Sequence, residues 1–214
     1  MRKRVVRRPV RASHSGDHPR GRRVSERGAA LVEAAFVAPV FFLMLFAVFE
    51  FGFLFRNSLT TTNASREGAR AASVHGAGRQ TDFLVLQTVA HGIAAQGAQS
   101  VEYVVIYKIT DVGDAMDVRC HDGPVEDVCN YYTAADFEAP FYDIYGGETG
   151  NFGCVPDLSL DRHWCPADRE DNISAPPDLV GVYVRTRHEY LTGFIGDETT
   201  LEETTVIRIE PEAE

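Results

Sequence analysis

AALVEAAFVAPVFFLMLFAVFEFGFLF, residues 29–55, decides the fold of this chain. The stretch holds 27 residues and only two charges, Glu33 and Glu50. As a helix it is about 40 Å long at ~1.5 Å per residue, and a bilayer core needs about 20 residues. It therefore reads as a membrane-spanning helix with length to spare. A secretory signal has an apolar region of about 7–15 residues that ends at a small-residue cleavage site. This run is longer, no such site follows promptly, and Arg56 and Asn57 close it as a membrane boundary does. Pro39 removes one helix hydrogen bond and predicts a kink, which membrane helices tolerate. Gly52 is a second weak point.

The charge distribution orients the span. The 214 residues carry a formal net charge of −10. Residues 1–28 nevertheless hold ten Lys/Arg against two acidic residues, leaving 11 basic and 29 acidic in the rest. Clustered arginines suit phosphate binding. Positive charge directly before an apolar span also holds that end on the cytoplasmic side. The topological reading fits the position better, and the acidic remainder repels nucleic acid. The expectation is a single-pass membrane protein, N-terminus cytoplasmic, bulk of the chain outside, with the lipid bilayer as a partner and no nucleic acid. The boundaries follow: 1–28 basic leader, 29–55 transmembrane helix, 56–75 helical stalk, 76–214 outer domain.

The order of features around Gly28 is informative. A basic leader, Gly28, then Glu33 five residues on, then an unbroken apolar run resembles the type IV prepilin signal. Three pieces, RGAALVEAAFVAPV (27–40), FEFG (49–52) and ASREGARAA (64–72), together resemble TadE-like proteins of tight-adherence pilus systems, well over about residues 27–75. The resemblance implies a bacterial pseudopilin with a role in pilus assembly and cell adhesion. It implies a prepilin peptidase that cuts after Gly28, so that the mature chain begins at Ala29 and keeps its span. It implies that Glu33 is an assembly carboxylate, pairing with the terminal amine of a neighbouring pilin subunit. Physics supports that role, because a carboxylate near a helix start faces the positive end of the helix dipole. A charge pair in low dielectric is also directional. The plainer reading has Glu33 snorkelling to the interface. For Glu50, snorkelling to the outer headgroups and a specific contact stand level. The family pieces also mark Gly52, Arg66, Glu67, Gly68 and Arg70. Arg66, Glu67 and Arg70 share a helix face at spacings of three and four, and a solvated face is the simplest account of it.

Beyond the stalk, GAGRQT (76–81) breaks the helix. Residues 81–98 then carry apolar positions at a 3.6-residue period, with Thr81 or Asp82 as N-cap and Gly97 as stop. VEYVVIYKITDV (101–112) alternates at Val101, Tyr103, Val105, Tyr107 and Ile109 and predicts a strand. Residues 179–193 and 199–212 predict two more, the last closed by Pro211. Helices packed on one face of a small antiparallel sheet make the fold α+β. The 139 residues of 76–214 can bury a modest core.

Between the first two strands lies an insert, residues 113–178, which holds all four cysteines: Cys120, Cys129, Cys154 and Cys165. An even count outside the membrane implies disulfides. Of three connectivities, Cys120–Cys129 with Cys154–Cys165 closes the shortest loops, each bridge contributing about 2–4 kcal/mol. A zinc site with His121 and His163 needs closer cysteine spacing. The aspartates at 111, 114 and 117, and from 157 to 171, do not follow a calcium-loop pattern. Asn172-Ile173-Ser174 matches a glycosylation sequon, which predicts little in a prokaryote.

No nucleophile elbow, phosphate loop, zinc-helix motif or dinucleotide fingerprint is present. No catalytic residue, cofactor or metal is therefore expected. His163-Trp164-Cys165 reads as a packed corner of the insert rather than a thiol centre. The expected function is a non-enzymatic, membrane-anchored minor pilin or pseudopilin-like subunit; such length argues against a major pilin. An unprocessed single-pass binding protein is the alternative, and a membrane-tethered hydrolase is a weaker one.

Overall fold

The computed structural model describes residues 24–94, 96, 100–138, 152–172, 176–193 and 195–211. The leader to residue 23, the Gly97 stop, Ile173 and Ser174 of the sequon, and residues 139–151 of the insert lie outside the described residues. The chain forms two compact units, Met1–Leu45 and Phe46–Glu214. Helix α1 (Val24–His75) contributes to both.

In the first unit α1 is apolar and exposed. Leu31, Phe36, Phe41, Phe42 and Met44 are all more than half exposed. Pro39 lies within α1 without ending it. This is a helix long and apolar enough to cross a membrane. A side chain that water would reject all round the helix belongs in lipid.

In the second unit α1 stays apolar and exposed as far as Phe55, and from Thr61 it packs on the folded domain. After Gly76, held at φ +46°, the chain turns into helix α2 (Thr81–Ile93). Four strands follow: β1 (Val101–Ile109), β2 (Cys129–Thr133), β3 (Leu179–Glu189) and β4 (Glu198–Arg208). A five-residue helix α3 (Ala134–Glu138) trails β2. The sheet is antiparallel throughout, in the order β2-β1-β3-β4. A long apolar helix followed by a small antiparallel sheet with a packed helix and two disulfides is the α+β architecture expected.

The sheet is covered on both faces. On one, Val104, Ile106, Tyr132, Val180, Val182 and Val184 meet Ala64, Ala69 and Ala72 of α1 and Val85, Leu86, Val89 and Ile93 of α2. On the other, Tyr103, Val105, Tyr107, Ile109, Leu179 and Tyr183 pack with Cys120 and Cys129 from the insert. The alternation in β1 therefore separates two buried faces rather than a buried and a wet one. A register shift between Val101 and Tyr103 moves Val101 to the helix-facing core. Tyr107 lies opposite Gly181, and its ring fills the space a side chain there would take. That close approach is why glycine stands in the middle of a strand.

Two local expectations need correction. Neither Thr81 nor Asp82 caps α2: Gln80 is the N-cap residue, without a side-chain bond. Thr81 instead donates back to the His75 carbonyl at 3.0 Å, and Asp82 is fully buried. The second correction is β2, a strand inside what reads as a loop-rich insert.

Candidate functional site

Gly28, Ala29 and Glu33 all lie on the exposed N-terminal part of α1. A side chain at Gly28 would meet nothing within 4 Å. Gly28 already belongs to the helix, whereas the sequence suggested a start at Ala29. Among the described residues nothing pairs with the Glu33 carboxylate. Among the described residues, this segment is exposed.

Glu50 behaves differently. It is 2 % exposed, while its neighbours Phe49 and Phe51 are 52 % and 59 % exposed. Its carboxylate accepts from the Leu191 N–H at 3.0 Å, the Thr192 N–H at 2.6 Å and the Thr192 hydroxyl at 2.6 Å. Three donors converge from the turn between β3 and β4, so the carboxylate does not reach for headgroups. A charge-assisted bond of this type is roughly twice as strong as a neutral one. The open choice between snorkelling and contact is resolved by geometry, in favour of contact.

The ASREGARAA segment divides by face. Ala64, Ser65, Gly68, Ala69 and Ala72 are buried, whereas Arg66, Glu67 and Arg70 are exposed. A Cβ on Gly68 would come within 2.7 Å of Val89, and one on Gly92 within 3.1 Å of Ala64. Small residues thus let α1 and α2 approach closely. Hydroxyls fasten α1 to the sheet: Thr61 bonds Thr186 at 2.9 Å, Ser65 donates to the Val182 carbonyl at 3.0 Å, and Ser73 donates to the Arg208 carbonyl at 2.7 Å. The charged residues of this segment draw the eye in the sequence, yet the small and hydroxyl residues make the joint. Their spacing of four (Ala64, Gly68, Ala72 and Thr61, Ser65, Ala69, Ser73) was the available signal.

The insert is tied down at three points. Its cysteines form Cys120–Cys129 and Cys154–Cys165, the shortest-loop connectivity. Bridged in this way, the four sulfurs serve as crosslinks of the insert. Behind them, buried Asp82 accepts from Arg169 at 2.7 Å, Asn130 at 2.8 Å and the Tyr132 hydroxyl at 2.7 Å. Arg169 also lies 4.1 Å over the Trp164 ring. Burial, with the Asp82 charge beside it, pushes the Tyr132 hydroxyl well above its usual range. Two of the aspartates have structural partners: the Arg119 side chain holds Asp117 down at about 2, and Asp161 accepts from the Gly153 and Cys154 N–H groups. Burial raises Asp161 from its ordinary value, and those two bonds offset part of the rise. His163 meets Glu126 at 3.0 Å, Trp164 is buried and Cys165 is bridged. That trio is a packed corner. Among the described residues no cluster of three or more His, Cys, Asp or Glu is arranged to hold a metal ion.

The second face of the sheet carries an aromatic stack. Tyr103 stacks on Tyr131 at 4.7 Å and on Tyr183 at 5.7 Å between centroids, and His121 meets Tyr183 edge-on. Arg185, paired with Glu102 at 2.7 Å, borders this stack. It is a packing surface under the Cys120–Cys129 loop.

Residues 28–70 match the family model described as TadE-like protein. The match begins at Gly28, covers Glu33 and Glu50, and ends at Arg70. No curated protein and no solved structure matches the chain.

Proposed function

We propose that this chain, TadE-like over residues 28–70, is a minor pilin or pseudopilin-like subunit of a tight-adherence pilus assembly system, acting by assembly rather than catalysis. The observation that supports this reading most is the helix under the match. Its first part is apolar and exposed, as an anchor requires, and from Thr61 to Ser73 it is the packing partner of a folded domain.

The physical sequence of events runs as follows. The arginine-rich leader holds the N-terminus in the cytoplasm, and the span carries residues 56–214 outside. A prepilin peptidase removes the leader between Gly28 and Ala29. The cut creates an α-amino group at Ala29, five residues from Glu33. In the bilayer that amine and the Glu33 carboxylate of an adjacent subunit attract strongly and fix axial register. The apolar helices then pack side by side, and the outer domain is displayed at a pilus tip, at an initiation point or beside the assembly machine.

The test is a Glu33→Ala variant in the native host, scored by chemical crosslinking to the other pilus subunits. Removing one partner of a buried charge pair costs about 2–5 kcal/mol, so crosslinked recovery falls by more than roughly tenfold. Undiminished recovery would mean that Glu33 is not the assembly carboxylate.

A further inference from the structure

The turn from β3 to β4 presents apolar side chains where none are needed for the fold. Leu191 is 69 % exposed and Ile195 is 51 % exposed. From Tyr190 to Gly196 the sequence contains no charge, and Glu189 and Asp197 flank it. The height of this turn along α1 is fixed by named contacts. His188 bonds Asn57 at 2.7 Å, and further along the chain Leu191 and Thr192 donate to Glu50. A polar-to-apolar boundary is thus crossed close to the same level on both elements: at Arg56 and Asn57 on the helix, and just past Glu189 on the strand, one residue beyond the His188 that bonds Asn57. Below it the helix carries exposed Phe49, Phe51, Phe53 and Phe55. Phe49 and Phe51 flank Glu50 on the helix, so the Leu191 and Thr192 backbone that Glu50 binds lies at the level of these exposed rings.

We infer that the β3–β4 turn, through Leu191 and Ile195, enters the headgroup–acyl boundary of the phospholipid bilayer beside the span, with Glu50 as the latch that sets its depth. Glu50 precedes Arg56 by six residues, about 9 Å at ~1.5 Å per residue. Interfacial elements bury their apolar side about 5–10 Å deep, so the two depths agree. Lipid also demands that backbone donors be satisfied internally. The first part of the turn meets this demand: the Tyr190 N–H donates to the Asp197 carbonyl at 3.0 Å, and those of Leu191 and Thr192 donate to Glu50, while the glycine-rich tip from Gly193 on lies at headgroup level, where water and lipid headgroups supply acceptors. The carboxylate in the apolar segment then has a purpose, which is to supply acceptors to a turn that has left water. The outer domain is held by two attachments to the membrane, and its orientation about the helix axis is fixed. This inference rests on the membrane-anchored reading of α1.

The experiment places one spin label at a time on the full chain in phosphatidylcholine–phosphatidylglycerol vesicles. All four native cysteines are bridged, so a single new thiol takes the label. Labels at Leu191→Cys and Ile195→Cys are compared with Phe42→Cys in the span and Thr200→Cys on β4. Collision with lipid-soluble oxygen is measured against collision with a water-soluble nickel chelate. The expected result is oxygen-dominated relaxation at 42, 191 and 195, and nickel-dominated relaxation at 200. If 191 and 195 behave like 200 while 42 stays in the bilayer, the turn is in water, the inference is overturned and the anchor stands. If 42 is itself in water, the anchored reading fails and the inference falls with it. In a Glu50→Leu background the Leu191→Cys label should lose its oxygen preference; no change there would overturn the latch.

Discussion

Asp82 shows how much one buried carboxylate organises. It gathers Arg169, Asn130 and Tyr132 from positions 87, 48 and 50 residues away, and so locks the insert to α2. The Arg169 and Asp82 side chains are both fully buried. Breaking such a pair strands a charge and costs about 3–5 kcal/mol, while replacing both partners by apolar residues is often neutral. Arg169→Met is therefore expected to lose about 3–5 kcal/mol of stability, and Asp82→Leu with Arg169→Met to recover most of it. Denaturant unfolding in detergent, followed by the fluorescence of the single tryptophan Trp164 beside the pair, measures both. A small loss in the single variant would contradict the assignment. From sequence Asp82 reads as a helix cap, because local spacing carries that pattern and says nothing of partners so far along the chain. Glu50 is similar. Its place in the apolar run is visible at once, but the donors at Leu191 and Thr192 are 141 and 142 residues away.

At the scale of elements, the joint between α1 and the rest depends on small side chains. Gly68 lets Val89 of α2 and Val182 of β3 approach together. Gly68→Val overfills this crossing and is expected to cost about 1–3 kcal/mol. Glu67→Ala, one residue away on the exposed face, should stay within about 0.5 kcal/mol of the parent. Thermal unfolding of the two variants in the same detergent separates them; equal midpoints would remove the crossing from the account. α1, α2, β1, β3 and β4 were legible because each carries a sustained period in its own residues. β2 was not: its five residues, Cys129 to Thr133, sit among turn formers and a cysteine, and only pairing with β1 makes them a strand. The second covered face was likewise hidden, since β1 alternates as a half-wet strand would. The insert's aromatic and disulfide residues, far off in sequence, bury that face.

At the scale of the whole molecule, the chain divides by composition. The apolar part of α1 suits lipid, and the acidic remainder, 29 acidic residues against 11 basic ones beyond residue 28, suits the aqueous side. The anchor and the TadE-like segment were legible because hydropathy, charge asymmetry and the Gly28-to-Glu33 spacing are all local. The proposed processing and assembly roles of Gly28, Ala29 and Glu33 concern events between chains. Those depend on chemistry at the exposed start of α1, where geometry leaves room for them.

The most direct test of the account is the N-terminal residue of the protein recovered from the membranes of its host, read by mass spectrometry. The account predicts a chain that begins at Ala29 and retains its entire apolar helix. A chain that still begins with its arginine-rich leader, in a host with active prepilin peptidase, would contradict the pilin-like reading and leave an unprocessed membrane-anchored protein.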